Sequence, residues 1–196
     1  MVEYDDRTAL IVTDVQNDFA DPSGSLSVHD GEQVVEAANR EIARARAAGA
    51  TIVYTQDWHP DSTPHFAKDG GTWPAHCVHD SWGAAFHPDL VVAPDSEIVR
   101  KGTGGEDGYS GFTVRDPTSG VEEGTRLERL LRDRHVRRVV LLGLATDYCV
   151  KDTGLDALAK GFETIVVADA VRPVDLEPGD GARALEELRR AGAEIA

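Results

Sequence analysis

The sequence predicts an α/β fold, three layers deep, built around a mostly parallel sheet of five to six strands. Three observations predict it. Short β-branched apolar runs recur at residues 8–13 (TALIVT), 51–55 (TIVYT), 138–143 (RVVLLG) and 164–168 (TIVVA). These runs carry no polar face, as expected of strands covered on both sides. Segments of helical period separate them, and strand–helix–strand order requires parallel crossover connections. The 196 residues fit one domain, residues 1–196, long enough to bury a core without disulfide or metal staples.

The elements follow in order. After the first strand, Val34, Val35, Ala38, Ile42 and Ala45 give a helix over about 32–48, and Gly49 stops it. The strand at 51–55 completes a β-α-β unit. Residues 56–95 have no period and are rich in His, Trp, Pro and Gly. A segment that long inside one domain is usually functional or disordered, and its three Trp favour an ordered, functional excursion. A short strand at 96–100 and a Gly-rich loop at 102–111 come next. A helix at 124–134 leads to the strand at 138–143, and a helix at 147–160 stops at Gly161. The fifth strand is 164–168, a helix covers 180–191, and the last residues add a sixth strand.

Composition narrows the function. A net charge of −15 argues against a nucleic-acid partner, because phosphate binding needs a basic surface. No window approaches the roughly 18 uninterrupted apolar residues of a membrane span. The start of the chain has no basic segment followed by an apolar one, so a cytoplasmic location is expected. In that compartment Cys77 and Cys149 are free thiols rather than a disulfide.

In sheets of this class the ligand crevice lies at the carboxyl ends of the strands. Asp14, Asp57, Lys101 and Cys149 each follow a different strand and so share one edge. Each has an ordinary reading alone: a capping carboxylate, a surface amine, a small buried thiol. Together they suggest an active site. With Thr146 as N-cap, Cys149 falls in the first turn of a helix, where the macrodipole favours a thiolate and free N–H groups can hold an oxyanion. Asp14 can accept the thiol proton, and Lys101, one of only four Lys against 16 Arg, can supply a fixed positive charge.

The histidines are clustered, with five of seven between residues 59 and 87. Asp57-Trp58-His59 on an extended segment points its two polar side chains the same way. With His65 and His76 they suit a divalent metal, and ligand type alone does not separate Zn²⁺, Fe²⁺ and Mn²⁺. His29, His79, His87 and His135 have no such spacing argument.

These residues resemble the nicotinamidase/pyrazinamidase branch of the isochorismatase-like cysteine hydrolase superfamily. The matching segments are LIVTDVQNDFADPSGSL, YTQDWHPDSTPHF, GTWPAHCV, FHPDL, KGTGGEDGYSGF and GLATDYCV. The D-x-H segment and WPAHCV narrow the match to metal-containing members. The resemblance implies Cys149 as nucleophile, Asp14 as general acid/base and Lys101 as third catalytic member. It implies Asp57, His59, His65 and His76 as ligands of one divalent ion, Zn²⁺ first among the three metals. It also implies a cis peptide before Ala145, an oxyanion hole from the Ala145 and Cys149 amides, and a pocket with Phe19, Trp73 and Tyr109. The expected partner is a small molecule, nicotinamide, with pyrazinamide a second substrate, and self-association into a homo-oligomer is left open. Another small amide, hydrolysis by metal-bound hydroxide, and a non-enzymatic metal-stabilised module are the competing readings.

Overall fold

In the computed structural model, which describes residues 2–196, the apolar runs form the centre of one sheet. β1 (Thr8–Thr13) is buried at every residue. The short α1 (Asn17–Ala20) and the long α2 (Gln33–Ala47) follow, the latter burying Val34, Val35, Ala38, Ile42 and Ala45. β2 (Thr51–Asp57) and β3 (Glu97–Lys101) complete the first half of the sheet. A separate antiparallel hairpin, β4 (Thr113–Arg115) and β5 (Glu122–Gly124), precedes α3 (Leu127–Asp133). The second half comprises β6 (Arg138–Leu144), α4 (Lys151–Ala159), β7 (Glu163–Arg172), α5 (Asp180–Ala191) and β8 (Glu194–Ile195).

The sheet has six strands in the order β3-β2-β1-β6-β7-β8, and every adjacent pair is parallel. Successive strand residues point to opposite faces. Leu10, Val12, Tyr54, Val140 and Leu142 therefore pack in one core with α2, while Ala9, Ile11, Val53, Val139 and Leu141 pack in another with α3, α4 and α5. This is the three-layer arrangement expected from the sequence. The chain builds outward from β1 to β3, then returns to β1's other side and builds outward through β8. The order reverses between β1 and β6, and a crevice opens there at the carboxyl ends.

Several boundaries differ from the sequence expectation. β7 runs on to Arg172 past the polar Asp169, after a register shift against β6 between Leu141 and Gly143. The expected helix at 124–134 begins at Leu127, because residues 122–124 pair with β4 instead. The segment expected to open a helix at 147 starts with a π turn, Thr146–Val150. The cap expected from Thr146 is not made. Ala145 precedes the turn, and the Thr146 hydroxyl has no hydrogen-bond partner among the described residues.

Gly143, next to last in β6, stands where only glycine fits. Its φ is +116°, and a Cβ there would stand 2.0 Å from the Thr13 carbonyl oxygen. The long excursion is ordered, tied by bridges pairing His59 with Val78, Phe66 with Trp73, and Gln16 with Phe86. Among the described residues no helix is long and apolar enough to cross a membrane.

Candidate active site and metal-ligand cluster

Asp14 follows β1 at φ 47°, in the left-handed region that a side chain seldom adopts. The turn aims its carboxylate across the sheet edge. Asp57 and Lys101 close β2 and β3 and are direct partners in the parallel register. Cys149 lies in the π turn after β6. The strand ends therefore converge as the sequence suggested.

Lys101 is the hub. Its Nζ donates to Asp14 Oδ2 at 2.7 Å, to Asp57 Oδ1 at 2.5 Å and to the Gly108 carbonyl, and it lies 3.7 Å from Cys149 Sγ. Thr55 Oγ1 donates to the other Asp14 oxygen at 2.6 Å. One carboxylate oxygen from each of Asp14 and Asp57 lies within 4.8 Å of the Cys149 sulfur and of the other. All of these side chains are buried.

Burial raises the Asp14 carboxyl to about 6, with Lys101 opposing the rise. Burial would raise Asp57 as well, but there the Lys101 ammonium and His59 outweigh it and hold the group below the usual carboxylate range. Burial works against the charge on Lys101, and the two carboxylates reverse that effect and keep it protonated. Burial pushes the Cys149 thiol well up; Lys101 opposes this, and the nearby carboxylates add to the rise. Burial thus works against the acidified thiol expected from a helix N-terminus. This sulfur needs a base at hand.

A second cluster adjoins the first. His59, His65 and His76 each present a ring nitrogen within 4.8 Å of the others. Asp57 Oδ2 lies 3.8 Å from His59 Nε2, so Asp57 stands between the two groups. Both ring nitrogens of fully buried His59 lack a hydrogen-bond partner among the described residues. His76 Nδ1 is 2.8 Å from the Pro74 carbonyl, which fixes it as donor and leaves Nε2 with a free lone pair. Burial and its imidazole neighbours lower His65 to about 3, and burial lowers His76 too. Neutral imidazoles with unpartnered nitrogens beside an ionised carboxylate are the donor set a divalent transition metal requires. The residues fit the ion.

Both clusters open into one narrow cavity, which Phe19, Trp73, Tyr109 and Ala145 also line. Trp73 Nε1 donates to the Tyr109 hydroxyl at 2.7 Å. The Leu144–Ala145 peptide is cis. Every residue singled out from the sequence thus comes to this one region, while Cys77 is a buried free thiol.

Sequence reasoning missed four contributors. Tyr148 forms a further aromatic wall, edge-on to Trp73 at 4.9 Å; its place beside Cys149 was the available signal. Thr55 holds Asp14, and the Gly108 carbonyl holds Lys101. Gln16 pairs with the Asp57 backbone, donating to its carbonyl and accepting from its N–H, both at 2.8 Å. Nothing in the sequence pattern marks these last three: Thr55 and Gln16 act through contacts between distant segments, and Gly108 acts through a backbone carbonyl that carries no side-chain signal.

The comparisons agree with this geometry. The isochorismatase domain family matches residues 8–196. A nicotinamidase/pyrazinamidase from Mycobacterium tuberculosis is 39% identical, over 95% of this chain and 97% of its own. The crystal structure of pyrazinamidase of Pyrococcus horikoshii in complex with zinc is 41% identical, with TM-score 0.87, covering 97% of this chain and 98% of that one. The structure of PnC1 from L. infantum in complex with nicotinate is 34% identical, with TM-score 0.89, covering 100% and 95%.

Proposed function

We propose, on the premise that this chain belongs to the isochorismatase domain family, that it is a nicotinamidase: an amidohydrolase converting nicotinamide to nicotinate and ammonia. Pyrazinamide, whose ring nitrogen is similarly placed, is its second substrate. Residues 1–196 act as one hydrolase domain. The observation that carries the reading is the Lys101 ammonium, 2.7 Å from Asp14, 2.5 Å from Asp57 and 3.7 Å from the Cys149 sulfur, beside three converging histidines.

The thiol is protonated at rest, so Asp14 takes its proton as the sulfur attacks the carboxamide carbon. The Ala145 and Cys149 N–H groups receive the oxyanion. Asp14 then gives its proton to the departing ammonia, leaving a thioester on Cys149. Asp14 next takes a proton from water, and the hydroxide attacks the thioester carbonyl. Nicotinic acid leaves, giving up its carboxyl proton to water as nicotinate, and the released sulfur regains its proton from Asp14. Throughout, Lys101 keeps its charge and offsets the negative charge that moves between sulfur and carboxylate.

Asp57, His59, His65 and His76 would hold a divalent ion, zinc in our reading. When bound, that ion would supply a Lewis-acid site for the ring nitrogen. Phe19, Trp73 and Tyr109 enclose the ring. Two free thiols accord with a cytoplasmic location.

The test is ammonia release from nicotinamide, with and without a chelator. Turnover that the chelator removes and zinc restores is expected. No release from nicotinamide, with release from another amide in a panel, would overturn the substrate assignment.

A further inference from the structure

Asp18 lies outside the cavity. Its carboxylate is buried and has no cationic partner among the described residues. Every polar group of this residue is nevertheless engaged. Its N–H donates to the Gly83 carbonyl at 3.0 Å, and its carbonyl accepts from Leu26 N–H at 3.1 Å. Oδ1 accepts from Ser25 N–H at 2.9 Å, and Oδ2 accepts from Cys77 N–H at 2.7 Å. The side chain thus joins the 25–26 turn to the distant Cys77, and the Asp18 backbone ties in Gly83.

The Cys77 contact is the informative one. Cys77 follows His76 and sits at φ 45°, a conformation that something outside the residue must hold. Its carbonyl accepts from His59 N–H at 3.0 Å, and His79 N–H donates to the His59 carbonyl at 2.8 Å. The strap at residues 76–79 thus runs beside His59 on one side and is anchored by Asp18 on the other. The Ser25 and Leu26 contacts tie that turn to Asp18, beside Phe19, whose ring stands 5.5 Å from that of His76. Gly83 is part of the same construction. A Cβ there would stand 2.0 Å from Asp18 Oδ2, so the glycine leaves the carboxylate its room.

We infer that Asp18 is a positioning residue for the metal centre: through the Cys77 peptide it sets the separation of His76 from His59, and through Ser25 it holds the Phe19 wall against them. It touches neither substrate nor ion. This inference rests on the reading of His59 and His76 as metal ligands, and it extends that reading to a carboxylate outside the ligand set. Groups that orient metal ligands typically contribute about 10- to 100-fold to metal affinity.

Two variants test it. Asp18→Ala removes both acceptors, whereas Gly83→Ala keeps the carboxylate and displaces it. Zinc affinity is measured by chelator competition on each full-length protein, alongside melting of the zinc-free form and the separate kcat and KM for nicotinamide. Both variants should lose about tenfold or more in zinc affinity, a loss larger than their loss of zinc-free stability, with KM rising more than kcat falls. If Asp18→Ala does not fold, Gly83→Ala gives the same reading alone. Zinc affinity within twofold of the parent would overturn the inference, as would an affinity loss no larger than the loss of zinc-free stability. A parent protein that binds no zinc would instead bring down the metal-site reading, and with it this extension.

Discussion

Replacing Lys101 by Met removes one charge while nearly keeping the side-chain volume, and the geometry sets the size of the effect. Without the ammonium, Asp14 and Asp57 face each other with oxygens no more than 4.8 Å apart and no counter-charge. At an effective dielectric of about 20, two unit charges at that distance repel by roughly 3.5 kcal/mol. This falls within the roughly 3–5 kcal/mol lost when one partner of a buried pair is deleted. The assay is urea unfolding of the chelated protein at several pH values. In the parent Asp14 already titrates at about 6, above its ordinary 3.8. A carboxyl raised on folding gives its full contribution below the unfolded pKa and loses it as pH rises through the folded one. Removing Lys101 raises the folded pKa further, so the variant keeps losing stability above pH 6 after the parent has stopped. The deficit should therefore widen from pH 6 to pH 8. A Lys101→Met protein within about 1 kcal/mol of the parent at pH 8 would refute the view that the ammonium compensates both carboxylates.

Cys149→Ala should abolish ammonia release while zinc stays bound, and substantial remaining turnover would defeat the covalent route. His59→Ala should lose the metal, read by elemental analysis of the purified protein, because it deletes the buried imidazole whose two nitrogens have no other partner; unchanged metal content would refute that ligand. Thr55→Val removes the hydroxyl that donates to Asp14 at 2.6 Å. Hydrogen bonds to charged groups contribute about 1.5–3 kcal/mol, so kcat should fall about tenfold or more while Thr55→Ser stays near the parent; equal activity in Val and Ser variants would show that the hydroxyl is idle.

The sheet was legible because its strands are buried on both faces and advertise themselves as apolar runs. β1 and β2 begin where the sequence placed them, since Gly49 and the β-branched residues leave little choice of start. The end of β7 was not legible, because Asp169 is polar and only pairing of Val171 and Arg172 with β6 carries the strand past it. The hairpin at 113–124 was hidden for the same reason: β5 is Glu-Glu-Gly, exposed and without an apolar signal. In the site, residues whose chemistry is unusual for their place could be named: a lysine at a strand end, a D-x-H pair, a cysteine after a strand. What could not be read was the sign of the thiol's shift. Helix position suggested acidification, and only the surrounding burial reverses it.

The reversal of strand order between β1 and β6 divides the chemistry between two stretches of chain. Residues up to Lys101 provide the proton acceptor, the ammonium and all three clustered imidazoles, while the sulfur arrives only with the segment after β6. Neither stretch is competent by itself. Turnover thus reports that the two halves have docked edge to edge along the Thr8–Arg138 to Thr13–Gly143 ladder. A chain nicked in the exposed β4–β5 hairpin would make this visible, since recovered catalysis would measure reassembly of the central seam.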